Sequence, residues 1–276
     1  MIGKTDRWIK KYIKEAEENN ANTSDRIKLQ QDYVINPLLP YFNGANTMEI
    51  QQHLYQFGLF IPHKNEKDKI VRWLKKDFKS HVQKIYQYLQ SKWDGPSPSI
   101  FILPSNEENR ELSILFNGSS GLSYPDKLFL FLPVDATTKQ LAALFIHEYS
   151  HVCRLHHLYK ENQEMTILDA IILEGIAEVI VRKKLGKDAG NQYIRKLDND
   201  VFERYWNRWI KGKEATKRHD HLHDKIMFGS HSIPKNLGYL LGYHLVNQYA
   251  EENSISMKKL LYLENEIFLS SLEERN

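Results

Sequence analysis

The stretch LAALFIHEYSHVCRLHH, residues 141–157, contains the pattern H-E-x-x-H at His147 to His151. Its apolar residues recur at helical spacing, so the sequence predicts a helix here. An α-helix turns about 100° per residue, and His147 and His151 therefore present two imidazoles on one face. Glu148 follows directly and can reach a water held at that point. Two histidines with an adjacent carboxylate at this spacing indicate a metal site, most typically for zinc, with its own general base.

An alternative is a core helix whose two histidines pair with neighbouring groups and whose glutamate is solvated. The pattern alone is only moderately specific. Its context strengthens it, because no glycine or proline interrupts residues 137–158 and apolar residues form a stripe along them. Polar groups on such a helix are costly to bury unless something pairs with them, which favours the metal site.

A catalytic zinc takes three protein ligands and keeps one position for water, so a third ligand is needed. His157 stands at the last position of the metzincin pattern H-E-x-x-H-x-x-G-x-x-H, but this chain has Arg154 where that pattern needs glycine. On an unbroken helix, His157 lies roughly 9 Å along the axis from His151 and points elsewhere. His156 fails for the same reason. We expect both residues at the helix end or on the surface.

The segment 167–182 is rich in apolar residues and predicts a second helix, long enough to span a core. Glu174 and Glu178 are four residues apart and share one face of it. Glutamates are rarely buried unless they are paired, so two of them in this helix need an explanation. We expect Glu174 to be the third metal ligand and Glu178 to orient a ligand histidine. The alternative is a surface face that carries two glutamates.

H-E-x-x-H followed by E-G-x-A-E resembles the gluzincin class of zinc metallopeptidases. More narrowly, the chain resembles the family of zinc-dependent proteases known as DUF2268 or YjaZ-like, through IHEYSHVCRL, ILEGIAEV and PKNLGYLLGYHLV. The resemblance implies that His147, His151 and Glu174 bind one Zn²⁺ per chain and that Glu148 is the general base. It also implies that Glu178 holds His147 in orientation.

The chemistry expected of such a site is peptide hydrolysis. Zinc lowers the pKa of its bound water and polarises the substrate carbonyl, while Glu148 accepts the water's proton. Tyr239 and Gly242 are similar to the Y-x-x-G of aminopeptidase-like gluzincins, in which the tyrosine hydroxyl stabilises the oxyanion. We therefore expect Tyr239 to be catalytic, with Tyr243, on the same helix face, as the second candidate for this role and as a possible substrate contact. Tyrosines four residues apart beside glycines are equally typical of close helix packing.

The segment RHDHLHD, residues 218–224, is hydrophilic and dense in metal-binding side chains. One interpretation is a mobile loop over the cleft, in which His219, His221, His223 or His231 contacts substrate. The other interpretation, which we favour, is adventitious metal binding by a histidine-rich loop.

Composition limits the class of protein. The 38 basic and 35 acidic residues nearly balance, which argues against a dedicated nucleic-acid binder. A single cysteine, Cys153, excludes an internal disulfide and fits a reducing compartment. The first residues lack the apolar region of a signal peptide, and no uninterrupted apolar run is long enough to cross a membrane. We expect a cytoplasmic protein that binds neither nucleic acid nor membrane; the sequence does not indicate its oligomeric state.

Helical patterns dominate the first 95 residues, and DGPSPS at 94–99 is the best candidate for a boundary. We therefore predict an N-terminal helical region, residues 1–95, and a zincin-like metallopeptidase domain, residues 96–276. The fold class is α+β and mainly helical, with a zincin-like core of a small mixed sheet, the active-site helix and the glutamate-bearing helix.

Strands are predicted at residues 99–103, 112–116 and 127–132, directly before the motif helix. The segment 118–124 is either the sheet edge that pairs with a substrate backbone or an ordinary hairpin loop.

Two functions from different classes fit these patterns. The first is a zinc peptidase that acts on peptides or unfolded protein segments. The second is a zincin-fold binding or regulatory protein with a metal site but little or no hydrolytic activity. Glu148 favours the enzyme, because a structural zinc site closes four protein ligands and needs no base.

Overall fold

The computed structural model describes residues 1–109, 118–158 and 164–273. The predicted strand at 112–116 lies outside these residues. Within them, the α-helices are α1 (Thr5–Glu18), α2 (Thr23–Gln30), α3 (Thr47–Gln56), α4 (Lys67–Leu74), α5 (Phe78–Trp93), α6 (Thr138–Leu158), α7 (Ile167–Leu185), α8 (Asn199–Trp209), α9 (His221–Phe228), α10 (Leu237–Glu252), α11 (Met257–Leu261) and α12 (Asn265–Glu273). A π-helix spans Gln31–Ile35, and 3-10 helices span Asn36–Tyr41 and Lys187–Ala189.

The strands β1 (Ser99–Pro104), β2 (Ser120–Ser123) and β3 (Lys127–Leu132) form one sheet in the order β1-β3-β2. β1 runs parallel to β3 and β2 runs antiparallel to it. Every residue of β3 is buried, as is typical of a strand covered on both faces. The prediction of an α+β, mainly helical chain with a small mixed sheet is confirmed.

Packing divides the chain into two compact units, residues 1–91 with 96–148, and residues 92–95 with 149–276. The division falls inside helix α5, inside helix α6, and between residues 95 and 96 in the connection that precedes β1. The predicted boundary between 1–95 and 96–276 therefore stays a prediction about domain organisation.

The N-terminal helices complete the core of the first unit. Ile2 forms a parallel bridge to Ile100 on β1, and α1 packs against β1 and α4. Arg26 is buried and its Nη1 lies 3.0 Å from Glu66 Oε1. The hydroxyl of Tyr12 donates to the same carboxylate oxygen. A buried glutamate is thus satisfied by both a cation and a hydroxyl.

The helical pattern that follows residue 65 is divided between two helices, α4 and α5. Asp77 accepts a hydrogen bond from the backbone N–H of Ser80, 3.3 Å away, directly after the break. Aspartate is a preferred residue at helix N-termini, so its side chain favours a new start over continuation.

Two glycines bring α7 and α10 into backbone contact in the second unit. A Cβ on Gly175 would lie under 3.0 Å from the carbonyl group of Gly242, and one on Gly242 would lie as close to the carbonyl oxygen of Ile171. Either methyl group would therefore force the helices apart. The glycines of E-G-x-A-E and Y-x-x-G are a matched packing pair, as the close-packing interpretation of the second motif requires.

Among the residues described, no helix is both long enough and apolar enough to span a lipid bilayer.

Candidate metal centre

Helix α6 carries the H-E-x-x-H pattern, as predicted, and continues without a break from Thr138 to Leu158. His147 is half-buried, and His151 is buried. The two residues are separated by one helical turn, so their imidazoles lie on the same face. Apolar side chains on this helix, including Phe145, Tyr149 and Val152, are fully buried and anchor it.

Helix α7 carries Glu174. It starts with a capping box, in which Thr166 accepts from the N–H of Asp169 and Asp169 accepts from the N–H of Thr166. Most of its residues are buried, but the side chain of Glu174 keeps 17% of its surface exposed. Its Oε2 lies 3.5 Å from Nε2 of His151. The third predicted ligand therefore lies against one of the two histidines.

His147, His151 and Glu174 each offer one ligand atom, and these atoms all lie within 4.8 Å of one another. Across the described parts of the chain, no other three His, Cys, Asp or Glu side chains form such a group. Two imidazole nitrogens and one carboxylate oxygen are a donor set that suits zinc. His147 and Glu174 are partly exposed, which leaves room for a water or substrate, as a catalytic site requires.

His157 is not part of this group, in agreement with the argument from Arg154. Arg154 is fully buried within the continuous helix, and its Nη1 donates to the carbonyl oxygens of Leu261 and Leu263 at 3.1 and 2.7 Å. Burial lowers the pKa of its guanidinium to about 10, so it stays charged at neutral pH. His157, at the helix end, lies 3.5 Å from the carboxylate of Glu264.

Strand β2 lies against the carboxylate of Glu148, and this residue is only 6% exposed. Ser123 Oγ lies 2.6 Å from Glu148 Oε2 and 3.0 Å from the Glu148 carbonyl oxygen. A Cβ on Gly121 would lie under 3.0 Å from the Glu148 carboxylate carbon and from Oε1. The carboxylate of the general-base candidate thus meets the Ser123 hydroxyl at Oε2 and the backbone of Gly121 at Oε1.

Gly121 and Ser123 were not predicted as site residues. The only sequence signal was that the segment 118–124 contains them at the period-two spacing that places side chains on one face of a strand. Their partner is 25 residues away from Ser123, and local patterns do not specify such a pairing.

Glu178 is buried, and its hydrogen-bond partners are different from those of Glu148. Its Oε1 accepts from Arg182 Nε at 2.6 Å and from the backbone N–H of Asn191 at 2.9 Å. A Cβ on Gly190 would collide with the same oxygen. Arg182 also donates to the carbonyl oxygens of three residues in the following segment: Lys187, Asn191 and Ile194. The role of Glu178 in orienting His147 stays a prediction.

The tyrosines of α10 lie in different surroundings. Tyr239 is half-buried, with its ring centroid 6.1 Å from that of Phe228. Tyr243 is 9% exposed and its ring lies 4.8 Å from the guanidinium carbon of Arg182. Burial raises the pKa of Tyr243. Their catalytic and substrate-binding roles stay predictions.

The histidine-rich segment is not entirely a loop, because His221 begins helix α9 and Asp220 caps it. The prediction of a loop throughout 218–224 is therefore wrong for its second half. His219, His221 and His231 are exposed. His223 is instead buried, with Nδ1 3.0 Å from Asp224 Oδ1. Because this part of the segment is a helix with one buried face, His223 points into the protein while His221 on the same helix stays exposed.

Comparison with known proteins agrees with the resemblance in the motifs. Residues 78–270 match the family model DUF2268, described as a predicted Zn-dependent protease. "Uncharacterized protein YjaZ" of Bacillus subtilis (strain 168) is 35% identical over 238 residues, which cover 85% of this chain and 91% of that protein. "Uncharacterized protein YjfC" of the same organism is 20% identical over 141 residues, or 48% of this chain and 46% of that protein. No solved structure matches the chain significantly.

The family model covers the motif helix, the glutamate-bearing helix and the paired glycines, which are the elements that build the candidate metal centre. The chain belongs to the DUF2268 family of predicted zinc-dependent proteases.

Proposed function

We propose that this protein is a zinc-dependent peptidase of the gluzincin type, built on a zincin-like core. The observation that carries the proposal is the group formed by His147, His151 and Glu174, whose ligand atoms lie within 4.8 Å of one another. Glu148, the residue next to the first ligand, supplies a carboxylate that no structural zinc site would need. The family description, a predicted Zn-dependent protease, points the same way.

His147, His151 and Glu174 would hold one Zn²⁺ per chain. When bound, zinc polarises a carbonyl group and makes water more acidic. Glu148 accepts a proton from the attacking water and returns it to the amine that leaves, so the residue ends the cycle as it began. Its burial keeps the carboxylate away from bulk solvent, which strengthens its interactions with reacting groups.

Tyr239 is proposed to donate its hydroxyl hydrogen to the negative oxygen that develops on the substrate carbonyl. Tyr243 and His231 are proposed substrate contacts, and Glu178 is proposed to orient His147. The substrate class is a peptide or an unfolded protein segment, cleaved in the cytoplasm. A lone buried cysteine, Cys153, fits this reducing compartment.

Zinc content tests the metal centre. Purified protein, dialysed against trace zinc, is measured for zinc per chain alongside His151→Ala, Glu174→Ala and Glu148→Gln. We expect one zinc per chain in the native protein and in Glu148→Gln, and strongly reduced zinc in the two ligand variants. His157→Ala removes a histidine from the same helix and is the matched control, expected to keep its zinc. Full zinc content in both ligand variants would show that the assignment is wrong.

Turnover of a diverse peptide library tests the chemistry. The native protein with zinc should cleave members of the library, and Glu148→Gln should bind zinc but lose cleavage. If both proteins bind zinc and neither cleaves any peptide, the binding or regulatory alternative replaces the enzyme.

A further inference from the structure

We infer that Ser123 is a positioning residue for the general base: it fixes the carboxylate of Glu148 from strand β2. This inference rests on the proposed function for its catalytic consequence. Its structural part, the control of one side chain by another, can be tested without any catalysis.

Strand β2 presents different side chains to its two sides. Gly121 and Ser123, two residues apart, both lie against Glu148. Ser120 lies on the opposite face, where its Oγ donates to the carbonyl oxygen of Phe57 at 2.6 Å. Period-two alternation therefore divides the strand into a face that holds Glu148 and a face that anchors the strand itself.

The two residues on the first face restrict both carboxylate oxygens. The Ser123 hydroxyl donates to Oε2 at 2.6 Å. The backbone of Gly121 lies beside Oε1, with no space for even a methyl group between them. The Glu148 carbonyl oxygen lies 3.0 Å from the same hydroxyl, so Ser123 packs against both the backbone and the carboxylate of this residue. The contacts from Ser123 and Gly121 favour the orientation that the Glu148 side chain has in this structure.

Confinement matters because proton transfer requires the base within hydrogen-bonding reach of its proton. A displacement of about 1 Å can lower the rate about 100-fold. An unrestrained glutamate would populate several rotamers, and only one of them would face the attacking water. Ser123 acts here through Glu148, with no contact to substrate required.

Four variants test the inference. Ser123→Ala should lower kcat about 10- to 100-fold with KM and zinc content unchanged, because the base is present but unfixed. Ser123→Thr keeps the hydroxyl and should recover most of the activity. Ser120→Ala removes a hydrogen bond of equal length from the other face and should destabilise the strand to a similar degree, with a far smaller effect on kcat. In a Glu148→Gln background, Ser123→Ala should have little further effect on the residual rate.

The orientation of Glu148 provides a readout that needs neither metal nor substrate. In crystals of metal-free Ser123→Ala, the Glu148 carboxylate should leave its place beside β2 or occupy more than one rotamer, whereas Ser120→Ala should leave it in place. An unmoved, well-ordered carboxylate in Ser123→Ala would overturn the inference, as would equal effects of Ser123→Ala and Ser120→Ala on kcat. Loss of cleavage in Glu148→Gln together with unchanged kcat in Ser123→Ala would reject the positioning role and leave the proposed function intact.

Discussion

Two buried glutamates, Glu148 and Glu178, are each enclosed by a glycine and a hydrogen-bond donor. Gly121 lies against the first and Gly190 against the second, and a Cβ on either would collide with the carboxylate. The donors differ in charge. Glu148 accepts from the neutral hydroxyl of Ser123, whereas Glu178 accepts from the guanidinium of Arg182.

The hydrogen bond from Ser123 orients the carboxylate of Glu148, whereas the hydrogen bond from Arg182 to Glu178 is also an ion pair. The Ser123 hydroxyl orients the Glu148 carboxylate without placing a positive charge beside it. The guanidinium of Arg182, 2.6 Å from Glu178 Oε1, places the opposite charge beside a buried carboxylate. Arg182 also binds the carbonyl oxygens of Lys187, Asn191 and Ile194, so the Glu178 pair secures a whole chain segment. Two carboxylates that are each packed against a glycine can therefore differ in the charge of the group that binds them.

The largest expected effect is on turnover. Glu148→Gln should lower kcat about 10³- to 10⁴-fold, since general-base catalysis contributes about 10²- to 10⁴-fold. Its unfolding free energy should change by less than about 1 kcal/mol, because glutamine can still accept from Ser123. Steady-state kinetics and urea unfolding of the same preparation measure both quantities. A stability loss as large as that of a broken ion pair would remove the distinction between the two glutamates.

The second prediction concerns Glu178→Gln, which should lower the unfolding free energy by about 2–4 kcal/mol. The substitution leaves the charge of Arg182 without its buried counter-ion. Glu251→Gln is the matched control, because its pair with Lys196 at 2.8 Å is about half exposed and should contribute less than about 1 kcal/mol. Denaturant unfolding compares the two. Equal, small losses would show that the buried pair is no more important than a surface pair.

The third prediction compares the two enclosing glycines. Gly121→Ala and Gly190→Ala should each lower the unfolding free energy by about 1–3 kcal/mol through overpacking. Only Gly121→Ala should also lower kcat of the zinc-loaded protein strongly, since it displaces the base. Comparable kinetic losses in both variants would show that the Glu178 enclosure also controls the chemistry, as its predicted contact with His147 would require.

The smallest expected effect is a change in the titration of Tyr243. Burial raises the pKa of its hydroxyl; Arg182 opposes this and Glu178 adds to it. Glu178→Gln should therefore move this pKa downwards, towards the ordinary value. Tyrosinate absorbance, taken as the difference from a Tyr243→Phe background, measures it. An upward shift would contradict the assigned charges.

The sign of the linked stability effect follows from the same shift. Because the folded pKa is raised, the unfolded chain loses this proton first as pH increases above the ordinary tyrosine value. The contribution of Tyr243 to stability is complete below that value and is lost as pH rises towards the folded pKa.

Helix geometry accounts for what could be predicted of the site. Spacing alone placed His147 and His151 on one face, and Arg154 ruled out His157, because each inference concerns residues on a single regular element. Glu174 was found through a different rule, the rarity of buried unpaired glutamates. The strand at 127–132 could also be predicted, because its apolar residues form a continuous run.

Contacts between segments that are far apart in the sequence could not be predicted from the spacing of residues along one element. Ser123 and Glu148 are 25 residues apart, and Glu178 and Asn191 are 13 apart. Such pairs depend on how the chain folds back, and hydrophobic periodicity specifies only which face of an element is buried. The break between α4 and α5 has a local cause, because the capping side chain of Asp77 outweighs the helical pattern on both sides of it.

The backbone contact between Gly175 and Gly242 has a mechanical consequence. Most helix pairs are separated by a layer of side chains that absorbs small displacements by changing rotamers. At this crossing the backbones themselves are in contact, so a shift of α10 would be passed directly to the backbone of α7 beside Glu174.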